Sequence, residues 1–148
     1  MARRLRDGAI AGLVGGIVSA VWGLVMSPVL GTDVFRETRL AAVPLLGRAS
    51  LEPGNAAAAL LVGGASHFGV SIAWGMVFAL VSYPASPLAM IGFGALFGAA
   101  VWRMMYDLVL PILGAAWIVE GFSTARALTE HVVFGIGTAL GLLWVRRR

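Results

Sequence analysis

Residues 100–131, AVWRMMYDLVLPILGAAWIVEGFSTARALTEH, decide how the rest of the chain is interpreted. The stretch reads as the end of one apolar helix, a short turn and the start of a second helix. Four charged residues lie within its apolar parts, Arg103, Asp107, Arg126 and Glu130. Each acid stands four residues from an arginine, so each oppositely charged pair shares one helix face. Charges at such depth in apolar helices are costly and rare.

An antiparallel pairing of these two helices would join the four charges. In such a hairpin, residues at equal height have a constant sum of residue numbers, which places Arg103 opposite Glu130 and Asp107 opposite Arg126. The signs then alternate in both directions, and the sequence predicts a neutral four-charge cluster that clamps the helices together. In the alternative interpretation, Asp107, Glu130 and the adjacent His131 titrate and line a path for protons or ions.

The composition indicates a membrane protein. Of the 148 residues 59% are hydrophobic and only 12% are charged, too few to coat a globular surface, and the mean hydropathy is +0.91. All eleven basic residues are arginines, and six of them flank the first and last apolar segments, where they serve as membrane anchors. We therefore do not interpret the basic pI as nucleic-acid binding.

The sequence lacks the residues for thiol chemistry and the motifs of common enzyme classes. The chain has no cysteine, which excludes disulfides, thiolate metal sites and thiol catalysis. It also lacks a Gly-x-Ser-x-Gly elbow, a His-Glu-x-x-His motif and a phosphate-cradling loop. We expect a protein that is not an enzyme, with the lipid bilayer as its partner.

The apolar segments predict an all-α fold with four transmembrane helices in one domain, residues 1–148. The helices are expected at about residues 8–30, 55–81, 87–113 and 123–145, and residues 31–54 form an outer connector. Within this connector, a short helix that begins near Asp33 is expected to lie on the outer surface, where it could cover the bundle as a lid. The alternative is that the connector is a plain ordered loop.

The first and third helices resemble each other. Residues 19–32, SAVWGLVMSPVLGT, match residues 99–115, AAVWRMMYDLVLPILGA, and each copy is followed by a helix with one histidine. The repeat predicts two tandem helical hairpins. The arginines at positions 3, 4, 6 and 146–148 then place both termini in the cytoplasm, with an uncleaved first helix, in the inner membrane of a bacterium.

The two histidines, His67 and His131, support a different interpretation. They lie on separate predicted helices at similar depth, beside glycines. Two neutral imidazoles can be the axial ligands of one b-type haem, which would make the chain a small subunit of a membrane electron-transfer complex. The alternative is that each histidine bonds a neighbouring carboxylate or carbonyl group.

Four segments carry a resemblance to a known family: IAGLVGGIVSAVWG at 10–23, SHFGVSIAWGMVFAL at 66–80, GFGALFGAAVWRMMYDLVLPILG at 92–114 and ARALTEHVVFGIGTALGLLWVRR at 125–147. The chain resembles the YagU-like family of small bacterial inner-membrane proteins. The resemblance implies a four-helix inner-membrane protein linked to envelope or acid-stress physiology, without an established activity. The family's first outer loop is longer than the connector of this chain. The resemblance does not account for the Arg103–Asp107 pair.

The leading functional expectation is a non-enzymatic inner-membrane protein with an outward-facing polar vestibule that handles small solutes or protons. The polar side chains lie in the outer half of the predicted bundle, and the inner half has almost no ionisable group. Glycine stripes such as Gly8, Gly12 and Gly16 predict close helix packing, within one chain, in a homo-oligomer or against a larger membrane complex.

Overall fold

The structure is a computed structural model that describes residues 1–82, 86–121 and 123–147. Every regular element within these ranges is helical, which confirms the predicted all-α class. A π-helical turn, Met105–Val109, joins the helices Pro87–Met104 and Leu110–Ile112 into one continuous span, and short 3-10 turns occupy Gly47–Leu51, Pro53–Asn55 and Ala116–Gly121. The helices are α1 Ala2–Val29, α2 Arg36–Ala41, α3 Val43–Leu46, α4 Ala56–Val81, α5 Pro87–Met104, α6 Leu110–Ile112 and α7 Thr124–Arg146.

Four helical segments of the described chain are long and apolar enough to cross a membrane. They are Ala2–Val29, Pro53–Val81, Pro87–Ile112 and Thr124–Arg146. The last is the shortest, with 23 residues. At ~1.5 Å per residue it is ~35 Å long, which exceeds the ~30 Å hydrocarbon core of a bilayer. The predicted count of four candidate spans is therefore confirmed by length and composition.

The first helix begins at Ala2, six residues before the expected start at residue 8. Asp7 holds the extra turns, because its carboxylate lies 3.9 Å from the Nε of Arg3 and accepts a 2.9 Å hydrogen bond from the Nη2 of Arg6. The arginine cluster that was expected only to flank the span is thus part of the helix itself. At the other end of the chain, Arg148 lies outside the described residues.

The third span has a π-helical turn where Pro111 enters the helix. A proline inside an α-helix has no N–H for the carbonyl four residues earlier, and its ring clashes with that carbonyl. Here the carbonyl belongs to Asp107, which lies inside the π turn. The extra residue in this turn widens the helix and lets the span continue to Ile112.

Helices α1 and α4 pack backbone against backbone through glycine. A β-carbon at Gly75 would lie 2.3 Å from the Cα of Gly12 and 2.4 Å from the carbonyl oxygen of Gly8. One turn further out, a β-carbon at Gly16 would lie 2.8 Å from the Oγ of Ser71. The contacts advance along α1 as they retreat along α4, so the two helices run in opposite directions.

Helices α5 and α7 make the same kind of contact. A β-carbon at Gly94 would lie 2.5 Å from the carbonyl oxygen of Gly135, and one at Gly98 would lie 2.0 Å from the carbonyl oxygen of His131. Extended outward along the two antiparallel helices, this register places Arg103 at the height of Arg126. It differs by about one helical turn from the register that the charge pattern predicted.

The remaining contacts close the four long helices into a bundle. Helix α1 also packs against α7, where a β-carbon at Gly15 would lie 2.1 Å from the hydroxyl of Thr138. Helix α4 meets α5 through aromatic rings, and Phe78, fully buried, lies 5.1 Å from Phe97 and 5.5 Å from Phe93 between ring centroids. Beside these rings lies an apolar core formed by Ala11, Phe78, Ala79, Met90, Ala139 and Leu142.

The connector folds back onto the bundle. The carboxylate of Asp33 accepts a hydrogen bond from the amide of Phe35 and forms an ion pair with Arg39, and α2 begins at the next residue, Arg36. Helix α2 then crosses α4 so closely that the backbone of Thr38 contacts Gly63. A second apolar core lies beneath the connector and includes Leu40, Val43, Leu110, Ala115 and Ile118.

Candidate functional site

The centre of the polar site is the guanidinium of Arg126, in the first turn of α7. Its Nε donates to Glu130 at 3.0 Å, its Nη1 to the hydroxyl of Thr32 at 2.8 Å and its Nη2 to the hydroxyl of Ser27 at 2.9 Å. The same Nη2 forms an ion pair with Glu37 of the connector. We call these five residues the Arg126 cluster. It joins the end of α1, the connector and α7 in one network.

Backbone bonds hold the two hydroxyl groups in place. The hydroxyl of Ser27, fully buried, donates to the carbonyl of Gly23 at 2.8 Å and therefore presents a lone pair to Arg126. The hydroxyl of Thr32 donates to the carbonyl of Ser27 at 3.2 Å. Both hydroxyls thus accept from the guanidinium in a fixed geometry, and the end of α1 is shaped to hold a cation there.

Glu37 is the charged member of the cluster that the sequence interpretation missed, and the hydroxyl residues Ser27 and Thr32 were not expected in the site either. It lies in α2, three residues before the buried Leu40, so both side chains share the inward face of this short helix. Its carboxylate reaches α1 at Gly23, where a β-carbon would lie 2.9 Å from Oε2. A sequence signal for Glu37 does exist. It is an acid three residues before an apolar residue, in a helix that is predicted to cover the polar end of the bundle.

The cluster holds two carboxylates and one guanidinium away from bulk water. The exposed fractions of the Arg126, Glu37 and Glu130 side chains are 12%, 23% and 18%. The pKa of Glu37 is raised from 4.5 to about 7, chiefly by burial and then by the nearby carboxyl of Glu130, and the attraction of Arg126 only partly offsets these two effects. Glu37 and Glu130 also lie within hydrogen-bonding reach, so a proton bound here can be shared between two acids.

The structure does not form the predicted four-charge clamp. Arg126 and Glu130 pair along α7, as expected from their spacing, and Arg103 pairs with Asp107 along the third span. The crosswise pairs of Arg103 with Glu130 and Asp107 with Arg126 are absent. The physical reason is the glycine contact of α5 with α7, which sets the register one turn away from the charge match.

The two histidines bond to backbone carbonyls. The Nε2 of His67 lies 3.0 Å from the carbonyl oxygen of Gly16, and the Nδ1 of His131 lies 2.8 Å from that of Ala127. The ring of His131 also packs edge-on against Tyr106, with 5.9 Å between centroids. A hydrogen bond to a carbonyl group is the alternative to haem ligation that the sequence left open for both histidines.

This arrangement does not fit a haem between the histidines. Donation from Nδ1 leaves the Nε2 of His131 free for a metal, but the Nε2 of His67, which an axial ligand needs, is engaged with Gly16. The neighbouring glycines give no room for a porphyrin, because Gly16 and Gly98 contact Ser71 and the His131 backbone directly. Within residues 1–82, 86–121 and 123–147, no three side chains of His, Asp or Glu gather as metal ligands.

A cleft of about 420 Å³ opens beside the cluster and leads to Arg126. Its wall is apolar on the α1 side and carries hydroxyl and guanidinium groups on the connector and α7 side. We call it the vestibule. Its lining residues are Trp22, Met26, Leu30, Thr32, Arg36, Ser123, Ala125, Arg126 and Thr129.

Below the cluster the bundle is closed by backbone contacts. Gly12 meets Gly75 between α1 and α4, and Gly94 meets Gly135 between α5 and α7. Helices that touch at their backbones leave no space for a file of water. Within these two helix pairs, no space for water leads inward from the Arg126 cluster.

No protein-family model, curated protein or solved structure matches the chain. The resemblance to the YagU-like family thus stays a prediction from the four sequence segments. What the site can do must be argued from its own geometry.

Proposed function

We propose that this chain is a non-enzymatic integral protein of the bacterial inner membrane that binds and releases a proton in an outward-facing polar vestibule. The observation that carries the proposal is the sharing of one guanidinium, Arg126, by two half-buried carboxyl groups, Glu37 and Glu130. One cation can balance one carboxylate. The second carboxylate is compensated only weakly, by the attraction of Arg36, and it takes up a proton when the outer solution becomes more acidic.

The proposed orientation follows the positive-inside rule. Arginines 3, 4 and 6 lie at the start of α1, and arginines 146 and 147 lie at the end of α7. Four spans in two tandem hairpins would bring both clusters to the cytoplasmic side and put the connector outside. The packing of α1 on α4 and of α5 on α7 supports this hairpin arrangement and the internal repeat. Membership of the YagU-like family is part of the same proposal.

The charged neighbours of Glu37 set the sign of its response. Glu130 and Arg126 face it from α7, Arg36 precedes it in the chain, and the ring of Tyr106 lies close enough to feel its charge. Helix α1 presents only the uncharged Gly23 and Ser27. Burial and the repulsion of Glu130 outweigh the attraction of Arg126, so the packed position of Glu37 favours the protonated carboxyl and is less favourable for the carboxylate.

A proton taken up here therefore holds α2 on the bundle, and loss of the proton as the outer solution becomes more alkaline loosens the cover of the vestibule. Arg126 keeps Glu130, Ser27 and Thr32 as partners when Glu37 leaves the site, so the guanidinium stays in place while α2 is released from it. The apolar contacts of Leu40 and Val43 still hold the connector on the bundle. The proposed response is a graded opening at the outer face, available to small solutes, and it does not require a pathway through the inner half.

The test is a pH titration of the glutamate carboxyl groups in lipid nanodiscs, followed by NMR of ¹³C-labelled glutamate. We expect one carboxyl signal to titrate at about pH 7, to disappear in Glu37→Gln and to persist in Glu52→Gln, an exposed acid of the same connector. In Glu130→Gln the midpoint should move to lower pH, because a like charge is removed. A chain with no carboxyl that titrates near neutral pH would refute the proposal.

A flux measurement separates proton binding from proton transport. Proteoliposomes with an imposed pH gradient should leak protons no faster than empty liposomes, because glycine contacts close the bundle below the cluster. A proton current that depends on Glu37 would replace the proposed binding function by a transport function.

A further inference from the structure

The second ion pair of the sequence, Arg103–Asp107, lies on the outside of the bundle. Its side chains are 64% and 52% exposed, on the third span, in a surface stripe with Leu96 and Met104. The span runs from Pro87 to Ile112, so at ~1.5 Å per residue Arg103 lies ~5 Å and Asp107 ~11 Å from its midpoint. Both lie within the ~15 Å half-thickness of the hydrocarbon core.

Two charges in that position are unfavourable if lipid surrounds them. An ionised side chain in hydrocarbon is costly even when it is paired, because the outer sides of both groups lose their water. The long side chain of Arg103 can bend toward a membrane interface, but that of Asp107 is too short to follow. A polar or charged protein surface against this face removes the penalty, whereas acyl chains cannot.

The exposed face has the spacing of a helix–helix seam. Phe93, Leu96, Ala100, Arg103 and Asp107 are all exposed and are separated by three, four, three and four residues. This alternation is that of the a and d positions of a left-handed coiled coil. The small side chain of Ala100 allows a second helix to approach at the centre of the seam.

The charges on this face fit a second copy of the same face. A twofold axis along the membrane normal would bring two third spans together at equal depth. Asp107 stands four residues above Arg103, a rise of ~6 Å, which an arginine side chain can bridge. Each guanidinium can then contact the carboxylate of its own chain and that of the other copy. The contact is neutral and self-complementary, as a twofold interface requires.

We propose that the stripe of Phe93, Leu96, Ala100, Arg103 and Asp107 is the interface with a second copy of this chain, and that the two Arg103–Asp107 pairs join there in a ring of four charges. The alternating signs that the sequence suggested within one hairpin are then supplied between two chains. This inference is independent of the proposed proton-binding function, because the seam and the Arg126 cluster share no residue.

Because the chain has no cysteine, single introduced cysteines can test the interface by cross-linking. A single Ala100→Cys substitution places a thiol at the centre of the seam, and Leu61→Cys places one on the exposed face of α4, where the parent side chain is 77% exposed. After mild oxidation in liposomes, we expect a disulfide-linked dimer of Ala100→Cys in large excess over that of Leu61→Cys. Equal cross-linking of the two variants, or none at position 100, would overturn the interface.

Charge reversal tests the ring itself. Arg103→Asp leaves two acids on the face and Asp107→Arg leaves two arginines, so each variant should associate with itself about tenfold or more weakly than the parent. A mixture of the two variants should associate again, because opposite faces meet. Both can be read by energy transfer between labelled copies in liposomes, with circular dichroism as the check on folding.

Two results would overturn the proposal in this arm. Self-association of the single variants at the parental strength would show that the charges do not meet across the interface. A parent chain that stays monomeric in liposomes at high density would exclude a second copy as the occupant of the seam, and a different protein would then have to cover it.

Discussion

Replacing Glu37 by glutamine is expected to stabilise the protein at high pH. Glutamine keeps the size and hydrogen-bonding groups of the protonated acid but cannot ionise. In the fold the pKa of Glu37 is raised from 4.5 to about 7, chiefly by burial and by the neighbouring Glu130. One pKa unit corresponds to ~1.4 kcal/mol, so the ionised carboxylate costs the folded state roughly 3 kcal/mol.

The sign of the effect follows from proton binding. Between about pH 4.5 and pH 7 the folded chain holds the Glu37 proton while the unfolded chain has released it. The free energy of unfolding therefore falls as the pH rises through this window, and the loss is complete above it. The attraction of Arg126 lowers the pKa and is already included in the net value, so the ion pair adds no separate contribution.

The assay is unfolding in mixed micelles over a range of pH, for the parent, Glu37→Gln and Glu52→Gln. The excess stability of Glu37→Gln over the parent should be near zero at about pH 4 and reach roughly 3 kcal/mol at about pH 8. Glu52, an exposed acid that lies 3.4 Å from the side chain of Asn55, provides the matched control, and its variant should follow the parent at every pH.

Two outcomes would refute this reasoning. A difference between Glu37→Gln and the parent that does not change with pH would show that Glu37 is not the titrating group. A variant less stable than the parent at about pH 8 would show that the ion pair with Arg126 outweighs both burial and the repulsion of Glu130. In either case the cluster would hold the connector in place without responding to protons.

Three further substitutions test the packing and the hydrogen bonds, each by the same unfolding measurement. Gly75→Ala should destabilise the fold by several kcal/mol, since its β-carbon would lie 2.3 Å from the Cα of Gly12; a small effect would contradict the close approach of α1 and α4. Gly92→Ala, at a position where the added β-carbon would meet no atom within 4 Å beyond its own stretch of helix, should be neutral or stabilise by up to about 1 kcal/mol. Ser27→Ala leaves Arg126 short of an acceptor and should cost about 1–3 kcal/mol, whereas an unchanged stability would mean that water replaces the hydroxyl.

The four candidate spans could be predicted because they depend on local features of the sequence. An apolar stretch long enough to span a bilayer must be helical, since its backbone groups have no other partners in lipid. The limits of the spans were less predictable. The early start of α1 depends on the contacts that the nearby arginine side chains make with Asp7. The π turn depends on how the third span accommodates Pro111.

The register of the hairpin could not be read from charge alone. Opposite charges placed at equal height favour one pairing of α5 with α7, but the close contacts of Gly94 and Gly98 favour another, one turn away. Backbone contact between helices requires an exact match of small residues, because the alternative is a direct clash. A flexible arginine side chain can find a partner within several ångströms of its expected height. The steric requirement is therefore the stricter one and decides the register.

The connector contributes a site residue, Glu37, that the pattern of apolar spans could not predict. Arg126 and Glu130 were expected in the site from their spacing, but the partner that makes it responsive, Glu37, is 89 residues away in sequence from Arg126. No local rule joins two residues at that separation. The contact exists because α2 crosses α4 at Gly63 and turns its inward face, with Glu37 and Leu40, toward the bundle.

The two arginine–acid pairs of the chain have the same spacing and different environments. In Arg126–Glu130 the side chains are less than one-fifth exposed, and a second carboxylate lies nearby, so the charge balance of the site depends on pH. In Arg103–Asp107 both side chains are more than half exposed, the pair is neutral by itself, and its cost depends on what covers it. Spacing identifies an ion pair, but burial and the count of nearby charges determine whether it serves as a proton site or as a surface for another chain. For that reason we propose a pH response for the i, i+4 pair at one end of the bundle and an interface with a second copy for the i, i+4 pair on its outer face.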